Sequence, residues 1–415
     1  MNASIETRAS WVVASASLAI LGTAFGSPWI AVVALKTIAA ETGGARSVPA
    51  FASSLAWFGS GLGGIAMGWI ADRYGVRWTV MFGATMIAIG LAIASLGQAW
   101  LGQVWALYLG HGLFVGLTGI AGLNAPLYVY VSRWFDRRRG SALALISSGQ
   151  YIAGTVWPPI FERAIAGYGW RETMAMFGLF EVVVILPLAV IFLKRAPEVV
   201  TAKSAATDAA RPATVLGWPP NLVFAMLAAA AFCCCVPMSM PQAHLVALCS
   251  DLGILPARGA VMLSLLLGTA FLSRQMWGWI SDRIGGLMTI LIGSAWQFCA
   301  IAAFSLTQDE AGLFAVSAMF GMGFSGIIPA YVLTVRELFP AREAGWRVPT
   351  LLCLTAFGMA SGGWFAGLLY DHFGYYAPAF AAGLLFNAVN LLLIGTLVAR
   401  RRMRLGDSRA VTAFG

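Results

Sequence analysis

The chain is short of charge. Only 26 of its 415 residues are Lys or Arg and 17 are Asp or Glu, 10% in all, against roughly 25% in soluble globular domains. It lacks any CxxC pair. Its six cysteines (Cys233, Cys234, Cys235, Cys249, Cys299, Cys353) lie in or beside apolar runs, so neither a metal site nor a disulfide framework is expected. There is no GxxxxGK[ST] loop and no HExxH, which argues against ATP-driven transport and zinc proteolysis. No Ser/His/Asp grouping falls within an apolar run, so no enzyme activity and no cofactor are expected. No basic run interleaves with aromatics, so the net charge of +9 does not point to nucleic acid. The N-terminus shows no small-residue cleavage site, and no signal peptide is expected.

What fills the chain is apolar: 60% of its residues. A membrane-spanning helix needs about 20 such residues, so twelve would use about 240. That matches the composition and excludes a soluble enzyme, a disordered chain and an outer-membrane barrel, whose strands alternate in short segments. The apolar runs predict helices at 10–34, 49–71, 78–98, 102–132, 141–161, 172–193, 219–249, 256–281, 287–306, 311–335, 347–370 and 375–399. The seventh carries Pro237 and Pro241 and is expected to be broken.

The basic residues choose the orientation. With the N-terminus in the cytoplasm, 20 Lys and Arg fall on the cytoplasmic side. Five fall outside (Lys36, Arg46, Arg163, Arg171, Arg258), and Arg274 lies within a span. This asymmetry is the positive-inside pattern. It puts both termini in the cytoplasm, and the short loops suit a bacterial inner (cell) membrane. The longest polar stretch, 195–218, reads as a linker. The expected organisation is a six-helix bundle over 1–194, the linker, a second bundle over 219–404 and a tail over 405–415.

The halves echo each other. Residues 68–77 read GWIADRYGVR and 278–287 read GWISDRIGGL, an offset of 210, each after the second helix of its half. A weaker echo follows the fourth helix of each half, FDRR at 135–138 against FPAR at 339–342. The expected fold is an all-α membrane protein of 12 transmembrane helices, arranged as two six-helix pseudo-repeat bundles.

With these motifs the sequence resembles the major facilitator superfamily, whose signature after the second helix is G-x-x-x-D-[RK]-x-G-[RK]-[RK]. Gly68, Asp72, Arg73, Gly75 and Arg77 match it in the first half. Gly278, Asp282, Arg283 and Gly285 match in the second, without the trailing basic pair. The segment 168–178, YGWRETMAMFG, also looks like the family's turn between helices 5 and 6. The expected roles are close helix packing at Gly68 and pairing of Asp72 with Arg73, Arg77 or a helix N-terminus. The resemblance implies that such pairs form a cytoplasmic latch, that helices 1, 4, 7 and 10 line a central cavity, and that the halves rock in alternating access.

Arg274 is the most informative residue. It lies eight residues before Asp282, about 12 Å along a helix. An arginine that deep is costly unless paired or hydrated, and it keeps its charge. Its planar fork suits a carboxylate. The competing reading is a structural pair, with Glu181 as the obvious partner, or snorkelling. The chain is similar to the branch of monocarboxylate transporters and oxalate–formate exchangers, in which an arginine on helix 8 binds the substrate carboxylate. FLSRQMWGWISDR puts Arg274 at the matching point, and 133–154 resembles the same branch. Three positions depart from that branch. Ala270 replaces an aspartate one turn before the arginine. Trp29, not lysine, follows Pro28. Residues 348–370 hold no Lys or Arg. A single cavity cation suits a monoanion.

Further polar candidates for the substrate are Asn124 and Tyr128 on one face of helix 4, Gln150 and Tyr151 on helix 5, and Tyr331 on helix 10. Each could equally bond between helices or sit in an interfacial belt. His111 and Glu181 are the candidates for a coupled proton. The leading expectation is a secondary transporter of small organic anions, most of all monocarboxylates, as symporter or antiporter. Its partners would be the substrate, the lipid bilayer, and protons or a counter-anion, and it would act as a monomer. The alternatives are a drug or amphiphile exporter of the same superfamily and an anion-binding transporter-like receptor.

Overall fold

The computed structural model describes residues 6–194 and 214–413. The expected linker lies outside the described residues except for 214–218. Among the described residues the structure is helical apart from short turns and one isolated bridge, Val215 to Trp218.

Eleven helical stretches are long and apolar enough to cross a membrane. Spans 1 to 4 are Arg8–Val33, Ser47–Tyr74, Val76–Leu96 and Gln103–Ser132. Span 6 is Trp170–Phe192. Spans 7 to 12 are Pro220–Asp251, Pro256–Ile284, Gly286–Leu306, Glu310–Leu338, Glu343–Phe373 and Ala377–Arg404. The twelfth, span 5, is Arg139–Ser147 continued after Ser148 by Gly149–Tyr168. It is the least apolar because it carries Gln150, Glu162 and Arg163. The last helix runs on to Ala413, well past the expected 399.

The irregular windings are not where they were expected. Span 7 is one helix through Pro237 and Pro241. Spanning helices tolerate proline where neighbouring helices, hydroxyl side chains and small local adjustments satisfy the backbone groups it frees. Span 1 is interrupted instead, at Phe25–Gly26, and a further short helix, Leu35–Glu41, follows its end after a break at Ala34. Pro28 cannot donate to the Ala24 carbonyl, and the Ser27 hydroxyl does so in its place at 2.7 Å. Span 4 is wound as a wider π-helix over Gly110–Ile120. Span 10 is interrupted at Ser325–Gly326.

The repeat is visible in the turns. Gly75 and Gly285 have φ of +93° and +78° and reverse the chain after spans 2 and 8. A β-carbon is disfavoured in that conformation, which explains why glycine recurs at the offset of 210.

The described residues divide into two compact units. The first is Met1–Val200 with Gln242–Gly268 and Gly363–Tyr376. The second is Thr201–Pro241 with Thr269–Gly362 and Ala377–Gly415. The ends of spans 7, 8 and 11 around Asp251, Pro256 and Asp371 are thus built into the first unit.

That unit's interior depends on backbone contact. A β-carbon on Gly63 would stand 2.0 Å from the Leu117 carbonyl, and one on Gly59 2.5 Å from the Gly112 carbonyl. On span 3, Gly83 and Gly90 meet Gly119 and Gly110 of the π-helix in the same way. Small residues let helices close in lipid, where burial of apolar area provides no drive. Gly68 does not have the close-packing role expected of it. Nothing lies within 4 Å of where its β-carbon would be, and its neighbour Trp69 is exposed. The tight positions lie further into the span.

Candidate functional site

Span 8 spends one face on span 10. Thr269 donates to the Ala318 carbonyl at 3.2 Å and Ser273 shares a 2.8 Å hydrogen bond with Ser325. The Trp277 indole donates to the Met322 carbonyl at 2.7 Å. Gly326, at the interruption of span 10, leaves room for the Trp277 ring. These residues recur every four positions and form one stripe. Arg274 is one residue on from Ser273 and so about 100° around the helix. It is half-buried. One turn further along its own face, Gly278 has open space where a side chain would be. The guanidinium therefore stands on a face of span 8 that span 10 does not occupy.

In the first unit, Asn124 and Tyr128 are half-buried on span 4, just after the π-helix. Gln150 is half-buried and Tyr151 buried at the start of the long helix of span 5. One turn on, Gly154 makes room for Leu267 of span 8 and for Trp29 of span 1. Tyr331 is placed differently from these four. It is fully buried in the second unit, and its hydroxyl donates to Asn390 at 2.7 Å. Asn390 in turn bonds Asn387, which donates to the Ser294 carbonyl of span 9. Tyr331 thus ties spans 9, 10 and 12 together.

His111 and Glu181 are both fully buried in the first unit. The His111 Nδ1 lies 3.1 Å from the Leu107 carbonyl, while its Nε2 and both Glu181 carboxyl oxygens have no hydrogen-bond partner. Arg274 and Glu181 belong to different units.

The repeated motif makes contacts other than those expected. Asp72 pairs with Arg133, at the end of span 4, at 2.8 Å. Arg73 approaches the rings of Trp69 and Tyr74 instead, and Arg77 donates to the Leu193 carbonyl at 3.1 Å. The nearest guanidinium to Asp72 is supplied by span 4 because that helix ends beside span 2. In the second unit Arg283 stacks on Trp279, and the ion pair lies elsewhere, between Glu337 and Arg401 at 3.2 Å. Glu337 also accepts from the Gly286 backbone at the start of span 9, a favourable place for a carboxylate.

Two clusters went unread in the sequence. One is Arg347, 1% exposed, bound to Glu343 and Asn221 and packed against Phe224, Phe339 and Trp346. The other lies in the first unit. There Arg46 makes a two-pronged pair with Asp251 at 2.5 and 2.6 Å, and Lys36 reaches the same carboxylate at 3.0 Å. Burial alone would lower the Arg46 pKa, but the bonds from Asp251 and Tyr376 hold it above the ordinary arginine value. A signal for this cluster existed. The side away from the termini has few charges, and Arg46, Asp251 and Asp371 are among them.

The match to known proteins decides the family. A model described as Major Facilitator Superfamily matches residues 15–348. The chain belongs to that superfamily. It is similar to MFS-type transporter 1 of Ophiocordyceps sp. (strain BCC 1869), 23% identical over 69% of this chain and 61% of that protein. It is also similar to monocarboxylate transporter 13 of Bos taurus, 24% identical over 81% of this chain and 76% of that one. Among solved structures, a bacterial homologue of the human lysosomal transporter Spinster has the same fold, with a TM-score of 0.71 and 15% identity over 97% of this chain and 99% of the other. The protein is an integral membrane transporter of the superfamily.

Proposed function

We propose that this transporter carries small organic monoanions, above all monocarboxylates, and that Arg274 binds the carboxylate. The observation that carries the reading is the placing of Arg274. It is a permanent cation deep in a span, on a face that span 10 leaves clear and beside the open space at Gly278. A single permanent cation of this kind suits an anion with one charge, held by two parallel hydrogen bonds. The similarity to monocarboxylate transporter 13 supports the same class. Asn124, Tyr128, Gln150 and Tyr151 are the further candidates for donors and acceptors to the substrate. Tyr331 is left out of this set because its hydroxyl is committed to Asn390.

In this reading both termini are cytoplasmic, from the distribution of Lys and Arg. The pole bearing Asp72 and Arg133 is then the inner one, and the pole bearing Arg46 and Asp251 the outer one. The candidates for a co-transported proton are His111 and Glu181, whose unpartnered atoms can take or give one without breaking a bond.

The test is uptake into proteoliposomes of lactate, pyruvate and formate, each against its neutral amide, with and without a pH gradient. Uptake of a carboxylate that its amide does not inhibit supports the reading. Uptake of no monocarboxylate, together with efflux of an apolar dye, would replace it with the amphiphile exporter.

A further inference from the structure

A groove opens on the first unit where the start of span 1 lies beside the end of span 6. It has a volume of about 420 Å³ and is lined by Trp11, Val12, Ser15, Ala16, Leu188 and Phe192. Span 6 turns Leu179, Val183, Val190 and Ile191 outward, all exposed, so this side of the unit meets lipid. The lining residues pair four apart, Trp11 with Ser15, Val12 with Ala16 and Leu188 with Phe192. Each pair therefore runs along its own helix. The groove exists because Ser15 and Ala16 are small where the other four are large.

Its walls are fixed. The Trp11 ring packs edge-on against buried Phe135, with centroids 5.0 Å apart. The end of span 6 is held by donors from two other spans. Arg77 donates to the Leu193 carbonyl at 3.1 Å and Tyr130 to the Lys194 carbonyl at 2.7 Å. A groove between fixed walls does not close by itself, and left unfilled it forfeits dispersion contacts along both sides.

Positive charge gathers at one end. Arg8 is exposed one turn before Val12, and Lys194 is exposed two residues after Phe192. The carbonyls that end a helix carry partial negative charge, and Arg77 and Tyr130 take up two of them here. Glu6 accepts from the backbone N–H groups of Arg137 and Arg138 at the start of span 5. The groove thus offers two cations at its end and one hydroxyl, Ser15, among apolar walls.

We propose that this groove holds one anionic phospholipid, with an acyl chain along Ala16 and Leu188 and its phosphate between Arg8 and Lys194. Lipid tails are as apolar as the walls, so the chain alone has no reason to choose this site. The headgroup makes the choice, because each Lys or Arg at a membrane surface strengthens the binding of an anionic lipid about fivefold. The bound lipid fastens span 1 to span 6 on the N-terminal side of the interruption at Phe25–Gly26. With the termini cytoplasmic, as proposed above, the headgroup belongs to the inner leaflet. The inference does not depend on the transported substrate.

The experiment is native mass spectrometry of the delipidated full chain, titrated with phosphatidylglycerol, phosphatidylcholine or glycerol 3-phosphate. The wild type should bind one phosphatidylglycerol about thirtyfold more tightly than phosphatidylcholine, and no glycerol 3-phosphate in the same range. Ser15→Phe fills the groove, leaves both cations, and should abolish that preference. Arg8→Gln and Lys194→Gln leave the groove open and should each weaken phosphatidylglycerol about fivefold without changing phosphatidylcholine. All three side chains are exposed, so the variants should unfold at the wild-type temperature in the absence of lipid, which separates lost binding from lost fold. Equal affinity of the wild type for the two lipids would overturn the proposal. Glycerol 3-phosphate bound as tightly as the lipid would reduce the site to one for free phosphate. Phosphatidylglycerol binding unaltered in Ser15→Phe would place the lipid elsewhere, and a dimer that Ser15→Phe breaks would give this face to a second copy of the chain. None of these measurements involves transport, so failure here is distinct from failure of the carboxylate reading.

Discussion

Trp157 of span 5 donates its indole N–H to the Gly22 carbonyl of span 1 at 2.8 Å. In an unbroken helix that carbonyl would accept from Gly26. Here the Gly26 N–H turns to Thr23 at 2.8 Å, and the indole takes its place. Gly26 must stay small, since a β-carbon there would meet Phe177 at 2.5 Å and Trp157 at 2.9 Å. The interruption of span 1 is thus held by a side chain from another helix. Trp157→Phe keeps the ring and orphans the carbonyl, which should cost about 1–3 kcal/mol. Thermal unfolding in detergent should show the loss, and Trp157→His should recover part of it.

The π-helix of span 4 rests on glycines of spans 2 and 3. Gly63→Ala drives a methyl group to within 2.0 Å of the Leu117 carbonyl. Overpacking of this kind costs about 1–3 kcal/mol. Gly68→Ala meets nothing within 4 Å and should leave the unfolding temperature where it is. The pair of variants separates close packing from the mere presence of glycine in a motif.

Glu181 is buried with neither oxygen bonded. An unbonded polar group in an apolar setting costs about 1–3 kcal/mol. Glu181→Met, of similar length, should therefore raise the unfolding temperature. If Glu181 carries the coupled proton, the same variant should also lose the response of uptake to a pH gradient. A lowered unfolding temperature would mean that the carboxyl has a stabilising partner.

Asp72 and Arg133 are both mostly exposed, at 64% and 53% of their side chains. An exposed ion pair contributes at most about 1 kcal/mol, so Asp72→Asn should leave the unfolding temperature nearly unchanged. Any large change in uptake by that variant then reports on conformation, not on folding.

Much of this fold could be read from composition alone. Twelve apolar runs, an even distribution of turns and a strong bias of Lys and Arg suffice for spans and connections, because lipid allows so few backbone solutions. The repeated Gly75 and Gly285 announced the pseudo-repeat because a positive φ demands glycine. The windings were harder. Pro237 and Pro241 looked like a break and are not one, while the interruption of span 1 depends on Ser27 and on Trp157, which is 135 residues from the carbonyl it bonds. The site was legible only in part. Arg274 stands out because an arginine is conspicuous among apolar residues. Tyr331 could not be told from a ligand-binding phenol until Asn390 was seen against it. The Arg46–Asp251 pair joins residues 205 apart, and no local pattern reveals such a partner.

The central claim is that Arg274 holds a carboxylate, and it is tested most directly by comparing Arg274→Lys and Arg274→Gln with the wild type in proteoliposome uptake of a transported monocarboxylate. Arg274→Gln should abolish uptake while the protein still elutes as a folded species. Arg274→Lys keeps the charge but loses the two-pronged fork, and should retain uptake at an apparent affinity at least tenfold weaker. Uptake by Arg274→Gln at the wild-type rate and affinity would contradict the account and leave Arg274 a structural residue.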